Sequence, residues 1–165
     1  MVKKKKLNFG AWIGKDKNIS IKELKKKLCG ELIGVGLYRD VYVLKQDSNY
    51  VVKIERDMSH GTFANATEWR HYINNREWDW FEQWLAPCEL ITETGQLLIQ
   101  RRIEHRKRKD YPKYIPAIFT DTKLSNFGWI GDRFVCCDYS FIPFYFIKVG
   151  KSKMKRAKWW GTLKK

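Results

Sequence analysis

Asp121, Lys123 and Asn126 stand within one short stretch, Phe119-Thr-Asp-Thr-Lys-Leu-Ser-Asn126, and Asp138 follows after apolar residues on either side of Gly131-Asp132. Two carboxylates, a carboxamide and an ammonium are polar groups able to do chemistry together, and carboxylate and carboxamide oxygens suit Mg²⁺. The apolar residues around Gly131-Asp132 are expected to form two strands with a turn between them, so that the polar groups can converge. The same oxygens can also hold Mg²⁺ without a nucleotide, as in a nuclease or another metal hydrolase. That reading leaves the upstream stretches without a role.

Ile33-Gly-Val-Gly-Leu-Tyr-Arg-Asp-Val41 carries Gly34 and Gly36, where amides without side chains can approach phosphates. Tyr50-Val-Val-Lys-Ile-Glu55 has strand alternation, with Val51, Lys53 and Glu55 on one face and Val52 and Ile54 on the other. Glu68 lies fifteen residues beyond Lys53, near the start of a predicted helix.

In this order and spacing, these elements and the Asp121–Asp138 stretch resemble the protein-kinase superfamily, and in particular its small atypical members, RIO-type or compact phage and bacterial kinases. The resemblance runs roughly from residue 33 to residue 140. It implies that Gly34, Gly36 and Val41 cover a nucleotide and that Lys53, paired with Glu68, binds its α and β phosphates. It places adenine against residues 99–102, with Ile99 and Arg101 among the contacts. It makes Asp121 and Lys123 catalytic, gives Asn126 and Asp138 to the metal, and names ATP and Mg²⁺ as cofactors. Arg39 stands where the family usually has its third glycine, and a phosphate contact is one role open to it.

The chain also departs from the family. Residues 104–118 are few, basic to Lys109 and interrupted by Pro112 and Pro116, so the usual long helix does not fit. Phe119-Thr-Asp121 replaces H-R-D, and Asp138-Tyr-Ser140 replaces D-F-G. The 25 residues after Ser140 leave no room for an activation loop and a helical peptide-binding lobe. The expected fold is α+β, a kinase-like N-lobe of antiparallel sheet plus helix with a strongly reduced C-lobe. The expected divisions are a basic arm and short helix over 1–30, a kinase-like domain over 31–147 that changes lobe after 103, and a basic tail over 148–165.

The elements that must position the site follow from local pattern. Ser20-Ile-Lys-Glu23 has the form of a capping box, opening a short helix with Ile21, Leu24 and Leu28 on one side and Gly30 as its stop. Residues 31–55 are expected as three strands, 62–85 as helix with a break near Asn74-Asn75, and 88–103 as a hairpin turning at Thr94-Gly95. Trp69, Tyr72, Ile73, Trp80, Phe81 and Trp84 recur at helical spacing, as a buried face requires. Leu7, Phe9, Trp12 and Ile13 form an apolar patch in an otherwise basic arm. Cys29, Cys88, Cys136 and Cys137 lack metal-ligand spacing and are expected as small core residues of a reduced protein.

With 165 residues, 44% hydrophobic and eight Trp, the chain has material for one packed domain. The longest apolar run, Phe141–Ile147, is too short for a membrane span, and the lysines at 3–6 are not followed by a secretory signal, so a cytoplasmic protein is expected.

The net charge of +15 is concentrated at the ends. Residues 1–30 hold ten Lys against Asp16 and Glu23, and residues 148–165 hold eight Lys or Arg and no acid, so each end carries +8 and the body −1. A third cluster, Arg106, Lys107, Arg108 and Lys109, falls inside the domain. Lys155, Arg156, Lys158, Trp159 and Trp160 interleave charge with indoles, which suits single-stranded nucleic acid and equally suits a tail whose Trp pair packs on the body. Two functions follow. One is an ATP- and Mg²⁺-dependent phosphotransferase, a compact Ser/Thr protein kinase being one form. The alternative is a catalytically weak or inactive kinase-like module that binds nucleic acid or an acidic host protein through its basic ends.

Overall fold

The computed structural model describes residues 19–56, 63–75, 79–143 and 153–163. The Leu7–Ile13 patch and residues 144–147 of the apolar run lie outside them.

The first helix, α1 (Ile21–Leu28), begins at a complete capping box: Ser20 Oγ accepts from the Glu23 amide at 3.3 Å, and Glu23 Oε2 accepts from the Ser20 amide at 3.0 Å. It does not stop at Gly30. The chain leaves the helix at Cys29 in an extended conformation and runs directly into β1 (Cys29–Val35). Gly30 lies within that strand, where a Cβ would meet the Val43 carbonyl oxygen at 3.1 Å, so its role is close strand approach and not a left-handed cap.

β1 pairs with β2 (Arg39–Leu44), β2 with β3 (Tyr50–Glu55), β3 with β5 (Leu97–Arg101) and β5 with β4 (Cys88–Ile91), giving an antiparallel sheet of order β1-β2-β3-β5-β4. Helix α2 (Ala64–Asn75) and the single turn α3 (Asp79–Glu82) fill the β3-to-β4 connection. Gly95 turns the β4–β5 hairpin at φ 74°.

Register assigns every strand residue to one of two faces. Val52 and Ile54 of β3 join Leu97, Ile99, Tyr42 and Leu44 against Leu24 and Leu28 of α1. Leu98 faces the other way, with Tyr72, Phe81 and Leu85 of the α2–α3 side.

That second core continues into the C-terminal part. Here the chain forms 3₁₀ turns at Arg108–Asp110 and Leu124–Asn126, and the strands β6 (Tyr114–Pro116), β7 (Phe127–Ile130), β8 (Arg133–Cys136) and β9 (Met154–Arg156). β7 and β8 form a hairpin turning at Gly131 (φ 61°), and β6 pairs antiparallel with β9. Phe81 stacks on Phe119 at 5.6 Å, and Tyr111, Phe127, Trp129 and Phe134 pack as an aromatic cluster with Trp159. The molecule is mixed α and β with antiparallel strand pairing. No helix among the described residues is long and apolar enough to cross a membrane.

Candidate active site

Glu68 is fully buried on α2 and is the hub of the site. Its Oε1 accepts from Lys53 Nζ at 2.5 Å and from Gln100 Nε2 at 3.1 Å; its Oε2 accepts from Arg39 at 3.0 Å and from the Tyr139 amide at 3.3 Å. The first pair arises because strand alternation points Lys53 at α2. Gln100 joins them because Val51 lies opposite Gln100 across the β3–β5 ladder, on that same face.

Asp138 comes to this hub through β8. The Cys136 amide donates to the Trp84 carbonyl at 2.7 Å and the Ala86 amide to the Cys136 carbonyl at 2.8 Å, fastening the strand end beside the turn that follows α3. Lys53 Nζ also donates to the Cys137 carbonyl at 2.5 Å. The Cys137 amide donates to the Asn126 carbonyl at 2.8 Å, which draws the 121–126 loop alongside Asp138. The Asp138 side chain is 47% exposed and accepts from Arg39 at 2.8 Å.

In the loop itself, Asp121 is exposed and organises its neighbours. It accepts from Asn126 Nδ2 at 2.9 Å, from the Lys123 amide at 3.1 Å and from Trp160 Nε1 at 3.1 Å. Lys123 places its ammonium over the Trp160 ring, 5.6 Å from its centroid. The sequence reading assigns Trp160 to the basic tail and not to this loop.

Arg39 is the main departure from the sequence reading. It is 7% exposed and bridges Glu68 and Asp138, with Asn65 Oδ1 as a third partner at 3.2 Å, so it is a buried strut and not a tip residue free for phosphate. Burial opposes its charge, but the carboxylates of Glu68 and Asp138 outweigh that and hold its pKa above the ordinary arginine value. Asn65 carries more of the frame: its Nδ2 reaches the carbonyls of Lys53, Gly95 and Gln96, and its amide donates to Glu55 Oε1 at 2.5 Å, at the start of α2. A short polar residue in the first turn of the helix expected over 62–85 was the available signal for it.

The glycine stretch forms the hairpin between β1 and β2. Val41 lies opposite both Gly34 and Lys53, in line with a shared face. The Gly36 amide donates to the Arg39 carbonyl at 2.8 Å, so it is committed to the hairpin and not presented to a ligand.

Two expected adenine contacts face away. Ile99 is fully buried in the α1-side core, and Arg101 sits over the Tyr50 ring at 4.9 Å on the edge of that same face. Their amide neighbours are also occupied: the Arg101 amide donates to Pro87 and the Arg102 amide to Asn49. A cavity of about 570 Å³ opens elsewhere, between α2 and the β4–β5 turn, and contains none of the expected site residues.

Of the tail residues, Trp159 packs edge-on against Tyr111, Phe127 and Phe134 and donates from Nε1 to the Pro112 carbonyl at 2.9 Å, so its ring belongs to the core. Arg106 lies over Trp129 at 4.9 Å, and Arg108 donates to the Trp159 carbonyl at 2.6 Å. Lys107, Lys109, Arg156 and Lys158 are exposed and Lys155 is half-buried. Burial pushes the Cys88 and Cys137 thiols up to about 12, so neither is poised as a nucleophile.

The donor set is carboxylate and carboxamide oxygens, the ligand type that Mg²⁺ takes. Among the described residues no three His, Cys, Asp or Glu cluster to hold an ion alone. The Cys137–Asn126 backbone bond sets Asp138 beside the loop that carries Asp121 and Asn126, and Mg²⁺ ordinarily takes one or two carboxylates with substrate phosphates and water completing its shell. No protein-family model and no curated protein matches this chain.

Proposed function

We propose that this protein is an ATP- and Mg²⁺-dependent phosphotransferase with a kinase-like site built on a shortened scaffold. The observation that carries the reading is the buried Lys53–Glu68 pair, joined through the Cys137 backbone to Asp138 on one side and to Asn126 on the other. A core that required stability alone is served as well by apolar side chains of similar volume, since desolvation cancels much of a buried ion pair. The sheet order, with α2 presenting Glu68 to β3, supports the same reading.

Mg·ATP would supply the phosphoryl group and neutralise its charge when bound. Lys53, held by Glu68, would present its ammonium to the α and β phosphates. Asn126 and Asp138 would contribute oxygens to the metal. Asp121 would orient the acceptor hydroxyl and take its proton, and Lys123 would reach the transferred group. Arg39 keeps one oxygen of Asp138 fixed.

The experiment is transfer of labelled phosphate from Mg·ATP to the protein itself and to generic protein acceptors. Asp121→Asn is expected to abolish transfer and to spare nucleotide binding; full activity in that variant contradicts the assignment. A second reading, a catalytically weak or inactive kinase-like binding module, is favoured by Arg39, whose ion pair already occupies one oxygen of Asp138. It predicts nucleotide-independent partner binding and no transfer by the parent.

A further inference from the structure

Basic residues far apart in the sequence are brought onto adjoining segments. In the β6–β9 pair Tyr114 lies opposite Arg156 and Pro116 opposite Met154, and the Ala157 amide extends the pairing to the Lys113 carbonyl at 2.9 Å. The loop that holds Lys107 and Lys109 is tied to the same strand end, through the Arg108 guanidinium on the Trp159 carbonyl. The next residue is Trp160, whose indole is bonded to Asp121. The surface these segments form therefore runs from β6–β9 to the candidate catalytic loop.

Its chemistry is cationic and aromatic. Lys107, Lys109, Lys113, Arg156 and Lys158 are exposed and form no ion pair with an acid among the described residues. The acids along the loop are Glu104 and Asp110, with Asp132 at 3.8 Å from Arg106 and Asp121 at the far end. Tyr114 is 58% exposed and Trp160 52%. Ile115, between Tyr114 and Pro116, is fully buried and anchors the strand, so the Tyr114 ring is held outward by strand alternation.

We propose that this face binds single-stranded nucleic acid, the cations tracking its phosphates and Tyr114 and Trp160 stacking on its bases. Large exposed rings between unpaired cations suit unpaired bases, whose π-faces a run of acidic side chains lacks. The further step, that the strand is delivered to Asp121 as the phosphate acceptor, rests on the phosphotransferase reading; binding does not.

The test is fluorescence anisotropy of the full chain, without nucleotide, on labelled oligothymidylate and oligouridylate of about 16 nucleotides. Lys113→Gln/Arg156→Gln/Lys158→Gln is expected to bind at least about tenfold more weakly and to lower the slope of log affinity against log salt by about 2, at roughly 0.7 for each phosphate that is no longer neutralised. Tyr114→Ala is expected to weaken binding without altering that slope. Lys22→Gln/Lys26→Gln/Lys27→Gln on α1, away from this face, is the control and is expected to change affinity less than about twofold. Unfolding midpoints near the parent value certify that the variants fold.

Equal weakening by the α1 triple variant overturns the proposal in favour of diffuse attraction to net charge. Competition by polyglutamate as effective as by the unlabelled oligonucleotide, or a duplex bound as tightly as the single strand, also overturns it. Loss of strand binding alongside a retained response to Mg·ATP removes this proposal and leaves the phosphotransferase reading in place; the reverse result does the opposite.

Discussion

Replacing Glu68 by Gln takes a negative charge from a point on which two buried cations depend. Lys53 and Arg39 are 4% and 7% exposed, and Glu68 is their common partner. After the substitution Lys53 keeps the Cys137 carbonyl and Arg39 keeps Asp138, while the new carboxamide must turn its NH₂ toward one of the former donors. Removing one partner of a buried pair costs about 3–5 kcal/mol, and the surviving bonds place this case near the lower end, about 3 kcal/mol. For a chain of this length each kcal/mol moves the midpoint by about 2–4 °C, so the expected fall is about 6–12 °C. Urea unfolding with an unchanged m value, alongside calorimetry, measures it. Glu93→Gln, at an exposed position of the β4–β5 turn, is the control and stays within about 0.5 kcal/mol of the parent. A Glu68→Gln loss below about 1 kcal/mol refutes the claim that this carboxylate carries both cations.

Gly128→Ala is expected to destabilise by about 1–3 kcal/mol in urea, because its Cβ would stand 2.5 Å from the Glu104 carbonyl oxygen and 2.9 Å from Ile103 Cδ1. That carbonyl cannot yield cheaply, since it accepts from the Trp129 amide at 2.9 Å while the Glu104 amide donates back at 2.8 Å; an unchanged midpoint contradicts the packing. His71 donates from Nδ1 to the Tyr139 carbonyl at 3.0 Å, and burial lowers its pKa. The unfolded chain therefore takes the proton first. The contribution of His71 is complete above its unfolded pKa of about 6.5 and is lost as pH falls below it, by at most about 1.4 kcal/mol per unit. The parent-minus-His71→Gln difference in unfolding free energy should shrink from about pH 7 to about pH 5, and a constant difference contradicts the assignment.

What was legible in the sequence was local or periodic. The capping box needs only residues 20–23, and the Lys53 face follows from a period of two, which the β2, β3 and β5 registers preserve. Asp121 and Asn126 meet because they are five residues apart in one loop. What was not legible depends on distant chain. Arg39 acquires its role from Glu68 and Asp138, the latter 99 residues away, and no local pattern marks a strand-start arginine as a strut. Ile99 and Arg101 face α1 because β5 is set against β3 with Ile99 opposite Val52; one residue of slip would reverse both, and the sequence does not specify that register. Gly30 looked like a helix stop, but strand crowding explains it better. Trp159 and Trp160, neighbours in one basic tail, part company on docking: one ring enters the core and the other stays exposed beside Asp121.

The most direct measurement of the central claim is thermal unfolding with and without Mg·ATP, on the parent and on Lys53→Met. A ligand at about a hundred times its dissociation constant stabilises by about 2.7 kcal/mol, a rise of roughly 5–10 °C for this chain. A nucleotide site built on Lys53 predicts that rise in the parent and its loss in Lys53→Met. No rise in the parent, or an equal rise in both, contradicts it.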